Sequence, residues 1–307
     1  MSDLRVKVAG IQFQNPIILA SGTAAFGRSL AGVVDLDALG GIVTKAVSLE
    51  PRGGNSSPRV AEFPGGMLNA VGLANPGVDA VRRDELPWLA EHVKRARVIV
   101  NVVGSRTEEF AEVIRRLDDS TIISAFELNV SCPNVRAGGI EFCADSASLA
   151  AVVSGARAAT SRPIFVKLSP VLPNIGEAAT TAAGAGADGI TVINTLPGLV
   201  VDVDSRTPRI GFGTGGTSGP GLLPVGVLAT HRVRSAVSLP IIGVGGVASA
   251  TDALQYIIAG ASLVGVGTAN LRDPRTAERI ARELDRWCNR SGVKAIQELV
   301  GTLAWPV

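Results

Sequence analysis

The chain is short of the residues from which many enzyme sites are built. Histidine occurs only twice, as His92 and His231, far apart in helix-like stretches. A zinc site is therefore not expected, and a histidine-based triad has little to draw on. The three cysteines, Cys132, Cys143 and Cys288, are odd in number and form no C-x-x-C pair. They argue against a disulfide framework and fall short of the four thiolates an ordinary iron–sulfur cluster needs. Charged residues make up 18% with a net charge of +2, and the basic clusters at 94–97 and 232–234 are short enough to be solvated faces. No nucleic-acid partner is expected. No apolar run approaches the roughly 18 residues of a membrane span. The start, MSDLRVKVAG, lacks the apolar core of a signal peptide, so the expected location is the cytoplasm, away from the membrane.

What the chain does have is 46% apolar residues and 36 glycines, which suits a large buried parallel sheet with many tight turns. After a probable hairpin, RVKVAGIQFQNP, eight strand-like runs follow: PIILAS, GIVTKAV, RVIVNVVG, IISAFELNV, PIFVKLS, GITVIN, PIIGVGG and SLVGVGT. Helical stretches alternate with them, clearest at 107–117, 146–160, 174–186, 223–237 and 250–260. Alternating strands and helices with a count of eight predict a closed (β/α)₈ TIM barrel with an N-terminal β-hairpin, residues 1–307 forming a single domain. Two long insertions, about 49–76 and 196–220, follow predicted strand ends. They read as binding loops or lids on the C-terminal face, where barrels of this kind keep their sites.

Four groups of residues stand out at those strand ends. The stretch GVGGVA at 243–248 formally matches a dinucleotide-binding turn, but the tip of the next strand, SLVGVGTAN, has no acid to hold a ribose. Gly245, Gly246, Gly267 and Thr268 fit better as a phosphate cradle between the seventh and eighth barrel strands. Lysine supplies only five of the 29 basic residues, yet Lys45 and Lys167 each lie inside an apolar strand. Burying an ammonium is costly, so each either faces a bound anion or electron-rich ring, or is paired, with Glu127 available as partner. Asn69, Asn101, Asn129, Asn134 and Asn194 recur near strand ends, and such amides suit a small planar ligand with alternating carbonyl and N–H groups. Finally, AFELNVSCPNV at 125–135 places Cys132 at a strand tip among hydrogen-bonding side chains. A thiol there is either inert packing or a base. The alternation of this strand predicts Phe126, Leu128 and Val130 outside the barrel, with Glu127, Asn129 and Ser131 on the lumen or its mouth.

Taken with ASGT (20–23), TKAVSLEPRGGNSSPR (44–59), GMLNAVGLANPGV (66–78), VKLSP (166–170), INTLPG (193–198) and GGTSGPGLLP (215–224), these motifs make the chain resemble the class 1 dihydroorotate dehydrogenases. The likeness is greatest to the NAD-linked subgroup, class 1B, and spans essentially the whole chain. It implies one FMN per chain and oxidation of (S)-dihydroorotate to orotate in pyrimidine biosynthesis. Carried over, Cys132 is the base that takes the C5 proton. A free thiol with the ordinary value of about 8.5 is mostly protonated at neutral pH, so activity should rise toward alkaline pH. The resemblance assigns Lys45, Asn69, Asn129, Asn134, Asn194 and Thr195 to the pyrimidine, and Gly72 and Leu73 to its carboxylate end. It assigns Ala20, Ser21, Thr44, Lys45, Asn101, Asn129, Lys167, Ile193, Gly219, Gly245, Gly246, Gly267 and Thr268 to the flavin. It further implies a homodimer joined to electron-transfer subunits as a heterotetramer, in which the partner carries FAD and a 2Fe–2S cluster and reduces NAD⁺. The alternatives are a fumarate-using class 1A enzyme, a dihydropyrimidine dehydrogenase-like flavoenzyme or, more remotely, a non-redox isomerase or lyase barrel. One departure is RAGGIEFCAD at 136–145, where Cys143 is unexpected.

Overall fold

The computed structural model describes residues 2–131 and 142–306. Eight parallel strands close into a barrel in chain order: β1 (Ile17–Leu19), β2 (Gly41–Val43), β3 (Arg97–Val102), β4 (Ile123–Asn129), β5 (Ile164–Leu168), β6 (Gly189–Val192), β7 (Ile241–Val244) and β8 (Leu263–Val266). These are the eight runs read from the sequence, trimmed at their ends. The predicted hairpin forms from Val6–Val8 and Ile11–Phe13, with Val6 opposite Phe13. Its side chains Val6, Val8 and Phe13 enter the same core as the barrel.

Helices Thr107–Leu117, Ser146–Ala159, Ile175–Gly184, Leu223–Ala236 and Ala250–Ala259 stand where expected, and Leu86–His92 and Thr276–Ser291 join the outer ring. Their starts follow local chemistry. Ser249 and Asp252, for instance, exchange side-chain and backbone hydrogen bonds as a capping box ahead of Ala250. Among the described residues no helix is long and apolar enough to cross a membrane.

Register sorts the strand residues by face. Asn101 on β3, Glu127 on β4 and Phe165 on β5 share one row, and Asn129, Lys167 and Thr191 share the next, two residues further along. Residues two apart in a strand point the same way, so both rows face the lumen, while Phe126 and Leu128 lie buried on the opposite side. Polar groups thus cluster on the inside of β3 to β6.

The two insertions fold against each other instead of remaining loops. Val60–Phe63 and Gly66–Asn69 from the first join Leu196–Gly198 and Gly215–Ser218 from the second in a four-stranded antiparallel sheet, with Gly216 opposite Asn69 and Ser218 opposite Met67. Strand alternation then gives this sheet two different faces. Leu68 and Ala70 are buried with Ala61 and Ile210 in a small satellite core, while Met67, Asn69 and Val71 line a cavity.

Candidate active site

That cavity, about 410 Å³, is formed at the C-terminal ends of the barrel strands and is walled on one side by the insertion sheet. Its size lies within the range usual for small-molecule sites. The strand ends contribute Ala20 and Ser21 after β1, Lys45 after β2, Asn129 on β4, Lys167 on β5, and Ile193, Asn194 and Thr195 after β6. Gly245 and Gly246 follow β7, and Gly267 and Thr268 follow β8. The insertions add Asn69, Gly72, Leu73 and Gly219. The sequence-predicted residues therefore converge on one cavity, with four exceptions. Thr44 and Asn101 are fully buried outside its lining. Cys132 and Asn134 lie outside the described residues, as do residues 136–141 of the unusual segment.

The lysines differ in their surroundings. Lys45 is half-buried, and burial, followed by repulsion from Arg59, pulls its ammonium below the ordinary value of 10.5. Lys167 is almost fully buried, and its Nζ lies 4.0 Å from Glu127 Oε1. The sequence offered Lys167 a choice between facing a ligand and pairing with Glu127. The geometry combines the two, since the residue lines the cavity with the carboxylate behind it.

The amides form a connected wall. Asn194 Nδ2 donates to Ser131 Oγ at 2.9 Å, to the Ser131 carbonyl at 3.1 Å and to Asn129 Oδ1 at 3.3 Å, while its own Oδ1 accepts from Thr195 N at 2.8 Å. Asn129 is thereby held through its oxygen. Asn69 Nδ2 donates to the Gly216 carbonyl at 3.2 Å, which ties it across the two insertions. Asn101 Nδ2 donates to Glu127 Oε1 at 2.6 Å, leaving Asn101 Oδ1 buried with no hydrogen-bond partner among the described residues. Turning that amide over would set its oxygen against the carboxylate, so the orientation is fixed by charge.

The glycine cradle has supports that the sequence did not single out. Tyr256 donates its hydroxyl to the Gly245 carbonyl at 2.7 Å, and burial, followed by the nearby Asp252 carboxylate, pushes that hydroxyl's pKa well above its ordinary value. The ring fits only because its neighbours lack side chains: a Cβ at Gly243 would lie 2.3 Å from Tyr256 Cδ1, and one at Gly226 would lie 1.8 Å from its hydroxyl oxygen. Gly243 therefore serves packing, and Gly245 and Gly246 face the cavity. On the eighth strand, Thr268 Oγ1 donates to Ser218 Oγ at 2.7 Å, joining the cradle to the insertion sheet. Ser218 lay within the quoted GGTSGPGLLP, the available signal for it.

The remaining candidates are structural. His92 stacks on Trp88 and His231 on Trp305, both away from the cavity. Cys143 and Cys288 are buried core residues, and Cys143 N donates to the Val130 carbonyl at 3.2 Å.

Fold and site together define a (β/α)₈ barrel whose ligand cavity lies at the C-terminal strand ends, with glycine-rich turns after its last two strands. A family model described as dihydroorotate dehydrogenase matches residues 3–287. The chain is 46% identical over 301 residues, 98% of both chains, to the dihydroorotate dehydrogenase B (NAD(+)) catalytic subunit of Pelobacter propionicus. It is 48% identical over 296 residues, 96% of both, to the protein of that name from Desulforudis audaxviator. A crystal structure of DHODH from Eimeria tenella in complex with ferulenol superposes with a TM-score of 0.82 at 22% identity, covering 98% of this chain and 88% of that one, which bears on the fold alone. The chain belongs to the dihydroorotate dehydrogenase family.

Proposed function

We propose that this chain oxidises dihydroorotate to orotate in pyrimidine biosynthesis, using FMN held in the cavity, and that its electrons reach NAD⁺ through a partner subunit. The observation that carries the reading is the convergence of two cationic side chains, a wall of amides and a glycine cradle on one cavity at the barrel mouth. These residues fit FMN. The turns at Gly245, Gly246, Gly267 and Thr268 offer backbone N–H groups to its phosphate. Lys167 offers a cation to its ring. When bound, FMN would supply the acceptor for the hydride leaving C6 of the substrate.

The chain's own residues would do the rest. Lys45 lines the same cavity, where an anionic ligand relieves the cost of burying its ammonium. Asn69, Asn129, Asn194 and Thr195 would hold the pyrimidine, with Asn129 oriented through Asn194. Cys132, on the segment that follows β4, would take the C5 proton. The three cysteines cannot supply four thiolates, which supports placing the FAD and 2Fe–2S centres on the partner. The relatives' designation as catalytic subunits points the same way.

The test is anaerobic. Purified protein should be yellow, and dihydroorotate should bleach its flavin band; a colourless protein that takes up no FMN would refute the assignment. Cys132→Ser should retain FMN and slow the bleaching by roughly 10²–10⁴-fold, the usual contribution of a positioned base. A near-normal rate would mean that another group takes the proton. Reduction of NAD⁺ by this chain alone would rule out the partner.

A further inference from the structure

One buried carboxylate in the lumen has no part in the chemistry above. Glu127 is 1% exposed. Its Oε1 accepts from Asn101 Nδ2 on β3 at 2.6 Å, and its Oε2 accepts from Thr191 Oγ1 on β6 at 2.8 Å. Its short contacts are therefore taken by two neutral donors. Lys167 Nζ, at 4.0 Å from Oε1, is within Coulombic reach but beyond hydrogen-bond distance. A structural ion pair would normally close further and consume ammonium N–H groups. Here the ammonium stays paired by charge at a distance, on a side chain that lines the cavity, and it makes no hydrogen bond to a described residue.

We propose that Glu127 is a positioning residue for Lys167. Its charge anchors the ammonium at the cavity wall, while its lone pairs, committed to Asn101 and Thr191, leave the ammonium's N–H groups to the electron-rich edge of the flavin. The inference rests on the FMN reading given above. It has a signature of its own, because the two ways in which a carboxylate can influence a nearby flavin have opposite signs. Acting directly, a negative charge disfavours the reduced, anionic ring, so deleting it would raise the midpoint potential. Acting through Lys167, its deletion leaves an ammonium unpaired in the lumen, which turns away or sheds its proton, so the potential falls as it does when Lys167 itself is removed.

The experiment measures the midpoint potential of bound FMN, and the FMN affinity of the apoprotein by fluorescence titration, in wild type, Glu127→Gln, Lys167→Met and the double variant. Glutamine keeps the shape of the side chain: its oxygen can accept from Asn101, and its amide can donate to a reoriented Thr191 hydroxyl. Glu127→Gln should shift the potential negative, in the same direction as Lys167→Met, and the double variant should go no further than Lys167→Met alone. FMN affinity should fall in all three, again without additivity. Thr191→Val, which loosens the carboxylate but keeps its charge, should give a smaller shift of the same sign and serves if the glutamine variant does not fold. A positive shift, no shift, or additive effects in the double variant would overturn the proposal. A wild-type apoprotein that takes up no FMN would overturn the FMN reading and this inference with it, whereas FMN uptake with unaltered potentials would overturn this inference alone.

Discussion

Gly246→Ala is the substitution whose cost can be worked most directly from the structure. Gly246 has φ 74°, in the left-handed region that disfavours side chains. A Cβ there would lie 2.4 Å from Leu223 N and 2.8 Å from Leu223 Cα, at the start of helix Leu223–Ala236. Those atoms are backbone, so no rotamer change relieves the contact. The left-handed conformation alone costs about 1 kcal/mol with a Cβ present. Displacing packed backbone adds about 1–3 kcal/mol, as overpacking does elsewhere. The expected loss is about 2–4 kcal/mol. Gly10→Ala provides the control: it has φ 81° in the Ala9-Gly10 hairpin turn, but a Cβ there meets nothing within 4 Å. It should lose about 1 kcal/mol, the conformational cost without the contact. Thermal melts of the two apoproteins separate them, at roughly 2–4 °C per kcal/mol for a large domain. FMN titration should show Gly246→Ala weakened and Gly10→Ala unaffected. Equal melting losses in the two variants would refute the close-approach argument, and normal FMN affinity in a destabilised Gly246→Ala would remove Gly246 from the cradle.

Two further outcomes follow from the site. Lys45 is held below its ordinary value by burial and then by Arg59, so its charged form is a cost in the folded protein that is fully present below the lowered folded value and relieved as pH rises through it toward the unfolded value of 10.5. Lys45→Met should therefore melt no lower than wild type near pH 7, keep less of any advantage toward pH 10.5, and raise the dihydroorotate KM about 10-fold or more. A clear loss of stability at neutral pH would show that Lys45 is a structural cation. Tyr256→Phe deletes the 2.7 Å hydrogen bond to the Gly245 carbonyl and should cost about 1–2 kcal/mol in melts, with FMN affinity down several-fold; no change in either would mean that the cradle does not depend on that bond.

The barrel was legible because each strand is a short apolar run bounded by glycine or proline, and because the helices between them carry readable periodicity and caps. The candidate site was legible where a polar residue interrupts an apolar strand. Lys45, Lys167 and Asn129 each announce themselves in that way. The insertion sheet was not. Its strands are three or four residues long and include Pro197, Gly198, Gly215 and Gly216, which carry no apolar alternation. Its pairing joins residues as distant as Asn69 and Gly216, a contact that no local pattern encodes. Tyr256 escaped for a related reason: it looks like one more apolar residue of an outer helix, and only the two glycines packed on its ring show that its hydroxyl reaches the cradle. Glu127 was visible as a partner for Lys167, but the distances that separate a hydrogen-bonded ion pair from a charge held at 4.0 Å exist only in the fold.

The placement of the sheet explains why the cavity has two kinds of wall. Its floor comes from barrel strand ends, whose positions are set by ladders on both sides and by a core that runs from the hairpin to Ile296. Asn129, Lys167 and the cradle belong to that frame. The facing wall rests on the satellite cluster of Ala61, Leu68, Ala70 and Ile210, which buries far less apolar surface. Burial energy scales with that surface, so this wall must be the less stable of the two. Neither insertion can build it alone, since Gly66–Asn69 of the first pairs with Gly215–Ser218 of the second and Asn69 donates to the Gly216 carbonyl. The groups proposed for the flavin thus stand mainly on the rigid frame. Those contributed by Asn69, Gly72 and Leu73, proposed for the substrate, stand on a wall that depends on two distant segments pairing.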